Sequence, residues 1–139
     1  MKIILTILLL NSLIVFGQES GDETCLQEVD TLTNEEVYKI TDIPAKIDGG
    51  MSLLFKEAAK RIKYSNNSDR YPIESKVFVA FIVAESGSVT GQRIIKNIAG
   101  TDIGEQLLEI VQEFTWRPAI CKGNPVKSMV ILPMILHFK

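Results

Sequence analysis

The chain has 139 residues, 46% of them apolar and 23% charged, the balance of one folded domain rather than of a disordered chain. A single His and two Cys leave no material for a His/Cys zinc cluster, and a formal charge of −2 gives no global reason to expect nucleic-acid binding.

The chain opens with Met1-Lys2 and fourteen mostly apolar residues, Ile3 to Phe16. As a helix that run would be about 21 Å long at ~1.5 Å per residue, short of the ~30 Å hydrocarbon core of a bilayer. It has the length of a signal-peptide core, and Val15-Phe16-Gly17 supplies small or modest residues at the −3 and −1 positions of a cleavage before Gln18. Residues 1–17 therefore read as a secretory signal, with an uncleaved inner-membrane anchor as the alternative. Residues 18–34 read as an acidic, solvated leader, and residues 35–139 as the domain. Residues 18–42 carry eight acidic groups against Lys39 alone, whereas residues 43–139 carry nine acidic and thirteen basic groups. Cys25 lies in the leader and Cys121 near the C-terminus. An exported chain meets an oxidising compartment, where the two either pair, tying leader to domain, or remain free thiols.

Glu35 to Ile43 alternates charged with β-prone residues and stops at Pro44, which predicts a short strand. Asp48-Gly49-Gly50 breaks the chain. Met51, Leu54, Phe55, Ala58 and Ile62 then fall on one stripe of a helix, with Lys56, Glu57, Lys60 and Lys63 off it. A polar loop at Asn66-Asn67-Ser68-Asp69 follows, whose first three residues also fit a glycosylation acceptor. Lys76 to Ala84 is a β-branched and aromatic run suited to a central strand. Glu85-Ser86-Gly87-Ser88 turns the chain into a return strand, Val89 to Ile98. Asp102 and Glu105 have capping-box spacing ahead of a second helix striped by Ile103, Leu107, Ile110, Val111 and Phe114. Trp116 to Cys121, a turn at Lys122-Gly123-Asn124-Pro125, and Val126 to Phe138 close the chain in extended conformation.

The order β-α-β-β-α-β, with two one-sided helices, predicts an α+β fold: a two-layer sandwich of two helices on a mainly antiparallel sheet. Its core is expected from Met51, Leu54, Phe55, Ile62, Val77, Val79, Phe81, Leu107, Val111, Phe114 and Trp116. Trp116 reads as core rather than as an exposed anchor, because Trp is highly buried on average. His137 reads as a solvent-facing strand residue. With one His, no nucleophile motif and no Gly-rich phosphate loop, neither an enzyme nor a nucleotide, metal or other cofactor is expected, nor a small-molecule substrate.

Several ordered pieces resemble the C-terminal domain of TonB-type energy transducers, in the form common in Bacteroidetes. They are Glu36-Val37-Tyr38 leading to Ile43-Pro44 and Gly49-Gly50-Met51; Phe78 to Val83 followed by Glu85-Ser86-Gly87-Ser88-Val89; and Trp116-Arg117-Pro118-Ala119, Gly123-Asn124-Pro125-Val126, Leu132-Pro133 and Phe138. The family's hairpin loop usually has an acidic residue where this chain has Ala84, and its Tyr-Pro after the first helix is here displaced to Tyr71-Pro72. The domain is read as standing without the Pro-rich spacer of a full transducer.

The resemblance implies a periplasmic, non-enzymatic module that adds the TonB-box peptide of an outer-membrane receptor to its sheet as a strand, linked to transmembrane transport. It places the peptide-binding edge at residues 128–136: Ser128, Met129, Val130, Ile131, Leu132, Met134, Ile135 and Leu136. Strand addition needs free backbone N–H and C=O groups. Pro133 cannot donate to a ladder, so its strand is either an edge or is paired with Pro133 at a bulge or end. The acidic strand at 35–43 could cover that edge in the free protein. The rival reading is an interaction protein that uses its edge strands for self-association or for another envelope partner.

Overall fold

A computed structural model describes residues 24–64 and 74–137. The signal reading for residues 1–17, the Asn66-Asn67-Ser68 triplet, Tyr71-Pro72 and Phe138 lie outside the described residues. In chain order the elements are β1 (Leu26–Val29), β2 (Glu36–Ile40), β3 (Lys46–Ile47), α1 (Met51–Arg61), β4 (Glu74–Val83), β5 (Val89–Lys96), α2 (Ile103–Glu113), β6 (Trp116–Arg117), β7 (Ala119–Cys121), β8 (Asn124–Val126) and β9 (Ser128–His137). Two helices and a mainly antiparallel five-stranded sheet form the α+β sandwich expected, with the sheet ordered β1-β2-β9-β4-β5. No helix among the described residues is long and apolar enough to cross a membrane.

β9 alternates along Leu132 to Ile135 as a half-buried strand must, whereas β4 is buried on both faces from Val79 to Val83. Val77, Val79, Phe81 and Val83 of β4 and Leu132 and Met134 of β9 turn toward the helices. There they meet Leu54 and Ala58 of α1 and Ile103, Leu107, Ile110 and Val111 of α2. The expected core residues Leu54, Val77, Val79, Phe81, Leu107 and Val111 are wholly buried, while Met51, Phe55 and Phe114 are partly buried at its margin. Ile62, also expected, is buried, and Ile47, Ala58, Val83, Ile98, Ile103 and Met134 join the core. Trp116 is 4% exposed, lies edge-on to Phe81 at 5.0 Å between ring centroids, and donates its indole N–H to Val111 O at 2.9 Å. A buried indole needs such an acceptor, and Trp116 is a core residue, not an exposed anchor.

The helices are joined at their ends. Arg61 forks onto Glu113 at 2.5 and 2.8 Å, and Gln106 exchanges hydrogen bonds with the backbone N–H and C=O of Lys63. The start of α2 departs from expectation. Asp102 stands at the N-cap but its side chain caps no backbone N–H. The Asn97 side-chain oxygen accepts instead from Gly104 N at 3.1 Å, as well as from its neighbour Ile98 N at 3.0 Å, so one donor at the helix start is met from just beyond β5.

A second departure concerns the acidic leader. Leu26–Val29 is a strand, not a solvated tail, and pairs antiparallel with β2. Asp30 organises the turn between them: its carboxylate accepts from Thr33 N and Thr33 Oγ1, and its carbonyl accepts from Asn34 N. Side chains of this kind bind nearby backbone and so favour turns.

Candidate functional site

The expected peptide-binding residues, 128–136, form most of β9 and lie in the middle of the strand order, not at its end. On one side β9 pairs with β4 in unbroken antiparallel register from Ser128↔Val83 to His137↔Glu74. On the other side it meets β2 in parallel at one position, Tyr38↔Ser128. After Ile40 the chain leaves β9: Ile43 exchanges backbone hydrogen bonds with Ile120, and β3 pairs with β6. Beyond this junction, no described strand covers the outer side of β9. The expectation that Pro133 marks either a terminal edge or a covered strand is replaced by an intermediate arrangement. β9 is central where β2 touches it and an edge along the rest of its length.

The junction also fixes which backbone groups face outward. Tyr38 N donates to Lys127 O at 2.8 Å, so residue 127 points its polar backbone toward β2. Successive residues of a strand alternate in this respect. With no register shift along β9, the backbone groups of Ile131, Pro133 and Ile135 therefore face the open side, while those of Val130, Leu132, Met134 and Leu136 face β4. Pro133, opposite Phe78, thus costs the β4–β9 ladder no hydrogen bond. Its missing N–H falls on the open edge.

Side chains divide in the same rhythm. Leu132 and Met134 are buried, Val130 and Leu136 pack partly against the core, Met129 is half-buried, and Ile131 and Ile135 are 55% and 53% exposed on the outward face. Ser128 is buried at the junction, and its hydroxyl has no hydrogen-bond partner among the described residues. It lines a cleft of about 220 Å³ with Lys39, Thr41, Pro44, Ala45, Met129, Val130 and Ile131 at the point where β2 diverges. Sequence reasoning placed Ser128 on the edge but could not find this orphaned hydroxyl, which depends on where β2 turns away. His137 is exposed at the end of β9.

The other two sheet edges are less regular. β1 has four residues and a register shift between Leu26 and Gln27. The β4–β5 ladder shifts twice, and β5 carries Gly91 at φ +59°. Bulges and short strands are how edges are made poor templates for pairing.

The β1–β2 hairpin curls across the outward face of the sheet. Arg93 of β5 donates to both carboxylate oxygens of Asp30 at 2.7 and 2.6 Å, and Lys127 pairs with Glu35 at 2.8 Å. Arg93 and the Thr33 hydrogen bonds hold the Asp30 carboxyl well below the usual carboxylate range, and Lys127 lowers that of Glu35. Thr33 and Ile82 crowd Gly91 so closely that an added Cβ would lie 3.1 Å from Thr33 Cγ2 and 2.9 Å from Ile82 Cδ1. Cys25, one residue before β1, forms a disulfide with Cys121 of β7, with their Cα atoms 6.2 Å apart. Both sulfurs lie within 4.8 Å of an Asp42 carboxylate oxygen. Thr24 Oγ1 and the Lys122 backbone N–H donate to that carboxylate and lower its pKa. As a disulfide, the two cysteines offer no thiolates to a metal.

The profile of the family described as Gram-negative bacterial TonB protein C-terminal matches residues 60–137, more than half of the chain. The protein belongs to this family, a non-enzymatic, envelope-associated binding and transport class whose members interact with outer-membrane receptors. No curated protein matches the chain.

Proposed function

We propose that this domain works in the periplasm, delivered by the signal at residues 1–17, and binds an extended segment of an outer-membrane receptor, its TonB box, as an added strand on the open side of β9. The observation that carries the reading is the uneven pairing of β9. Ten register positions face β4, while a single bridge, Tyr38↔Ser128, faces β2. Free N–H and C=O groups on that side supply main-chain affinity, and side chains at alternate positions supply selectivity. An incoming strand would gain hydrogen bonds from Ile131 and Ile135 and lie beside their exposed side chains. The Ser128 hydroxyl, without a partner among the described residues and in the cleft at the head of the edge, would satisfy a polar group of the same peptide.

The test is calorimetric titration of the exported protein with TonB-box peptides from receptors of the same organism. Saturable binding to wild type, weakened at least tenfold by Ile131→Lys in a protein of unchanged fold, is the expected result. Absence of binding by every peptide would remove the reading. A dimer that persists on dilution and is dissociated by Lys at Val130 would put self-association in its place.

A further inference from the structure

The two ends of the β1–β2 hairpin are fastened to neighbouring residues of one strand. Ile43, just beyond β2, exchanges both backbone hydrogen bonds with Ile120, and Cys25, just before β1, is bonded to Cys121. Between these fastenings the hairpin crosses the outward face of the sheet and, through Tyr38, closes the head of the β9 edge. The disulfide is accessible. A cleft of about 410 Å³ opens onto it, lined by Cys25, Gln27, Tyr38, Cys121, Lys122, Asn124 and Val126. Cys25 is half-buried whereas Cys121 is 4% exposed, so an attacking thiolate reaches the Cys25 sulfur.

We propose that the Cys25–Cys121 bond is a site of thiol–disulfide exchange with a dithiol reductant of the cell envelope, and that its cleavage releases the β1–β2 hairpin from β9. A thiolate of the reductant attacks Cys25 Sγ and forms a mixed disulfide. The Cys25–Cys121 bond breaks, and its electron pair leaves on Cys121 as a thiolate. The reductant's second thiolate then displaces Cys25, so the dithiol ends as a disulfide. The two protein sulfurs take up the two protons the dithiol gave up. Asp42, close to both sulfurs, repels thiolate and guards the bond, while Lys122 in the same cleft attracts it.

Cleavage turns a strap held at both ends into one held at its β2 end alone, where Ile43 bonds Ile120 and Asp42 accepts from the Lys122 backbone N–H. The remaining ties are the ion pairs of Asp30 and Glu35, the buried Val37 and the one bridge to β9. Once β2 lifts, the unpaired edge extends back through Ser128 to Lys127. This effect on peptide binding rests on the strand-addition reading above, but release of the hairpin does not.

The experiment is hydrogen exchange on the full protein, oxidised, reduced with dithiothreitol, and as the Cys25→Ser/Cys121→Ser variant, with amides of α2 and β4 reporting that the fold persists. Exchange at residues 26–40 should accelerate at least tenfold on reduction and in the variant, with α2 and β4 unchanged. Unchanged protection at 36–40 in the reduced, folded protein would overturn the proposal. In the same samples, TonB-box peptides should bind the reduced form at least threefold more tightly. Hairpin release with no peptide bound by either form would uphold the strap and count against the strand-addition reading.

Discussion

Arg93 and Asp30, 63 residues apart in the chain, form a two-pronged ion pair in which the carboxylate is only 4% exposed. This pair fastens the turn of the β1–β2 hairpin to β5 and keeps the Asp30 carboxylate out of solvent. Buried charges persist only when paired and hydrogen-bonded, and Thr33 supplies the further donors.

The pair makes hairpin anchoring depend on acid. Asp30 has a folded-state pKa far below its ordinary 3.8, so its contribution is complete above that value and is lost as pH falls further, through the folded-state pKa. Glu35, lowered from 4.5 by Lys127, adds in the same direction. Hairpin amide protection should therefore be flat from pH 7 to 5 and decline below about pH 4. Asp30→Asn should lower protection at neutral pH and flatten most of that decline, as measured by hydrogen exchange across the pH range.

The packing of Trp116 on Phe81 is expected to dominate stability. Phe81 is wholly buried, and Phe81→Ala should cost about 3–5 kcal/mol, as truncation of a buried aromatic does. Trp116→Phe leaves Val111 O without its donor, at a cost of about 1–3 kcal/mol. Denaturant unfolding measures both.

Gly87 in the β4–β5 turn has φ +86°, and a Cβ there would lie 2.4 Å from Trp116 O. Gly87→Ala combines a disfavoured backbone with a clash against a backbone atom that has little freedom to move. It should destabilise by at least ~1–3 kcal/mol, the usual cost of a strained conformation. Thermal unfolding checks it.

Ser128→Ala separates recognition from folding. The hydroxyl is buried without a partner among the described residues, and removing such a group is nearly neutral or stabilising. Peptide affinity should nonetheless fall a few-fold. Calorimetry and unfolding on the same preparation read the two effects.

The helices and β4 were legible because their periodicity is local. The stripe from Met51 to Ile62 gives α1 at Met51–Arg61, and that from Ile103 to Phe114 gives α2 at Ile103–Glu113. What failed depends on residues far apart. Leu26–Val29 has too little apolar content to announce a strand, and exists as one through β2 and the Asp30–Arg93 anchor. Asn97 outcompetes Asp102 for the start of α2 because β5 delivers it there. Pro133 left two arrangements open, and sequence could not say that β2 would touch β9 at Ser128 and then turn away to Ile120.

The most direct test of strand addition on β9 is amide exchange read residue by residue by NMR, with and without a saturating TonB-box peptide. Alternation along β9 leaves the Ile131 and Ile135 N–H groups open in the free protein, while those of Leu132, Met134 and Leu136 are already bonded to β4. Ile131 and Ile135 should pass from fast to slow exchange on binding, with little change at the three others. Peptide bound at saturation with Ile131 and Ile135 still in fast exchange, or new protection confined to β5 or β1, would contradict it.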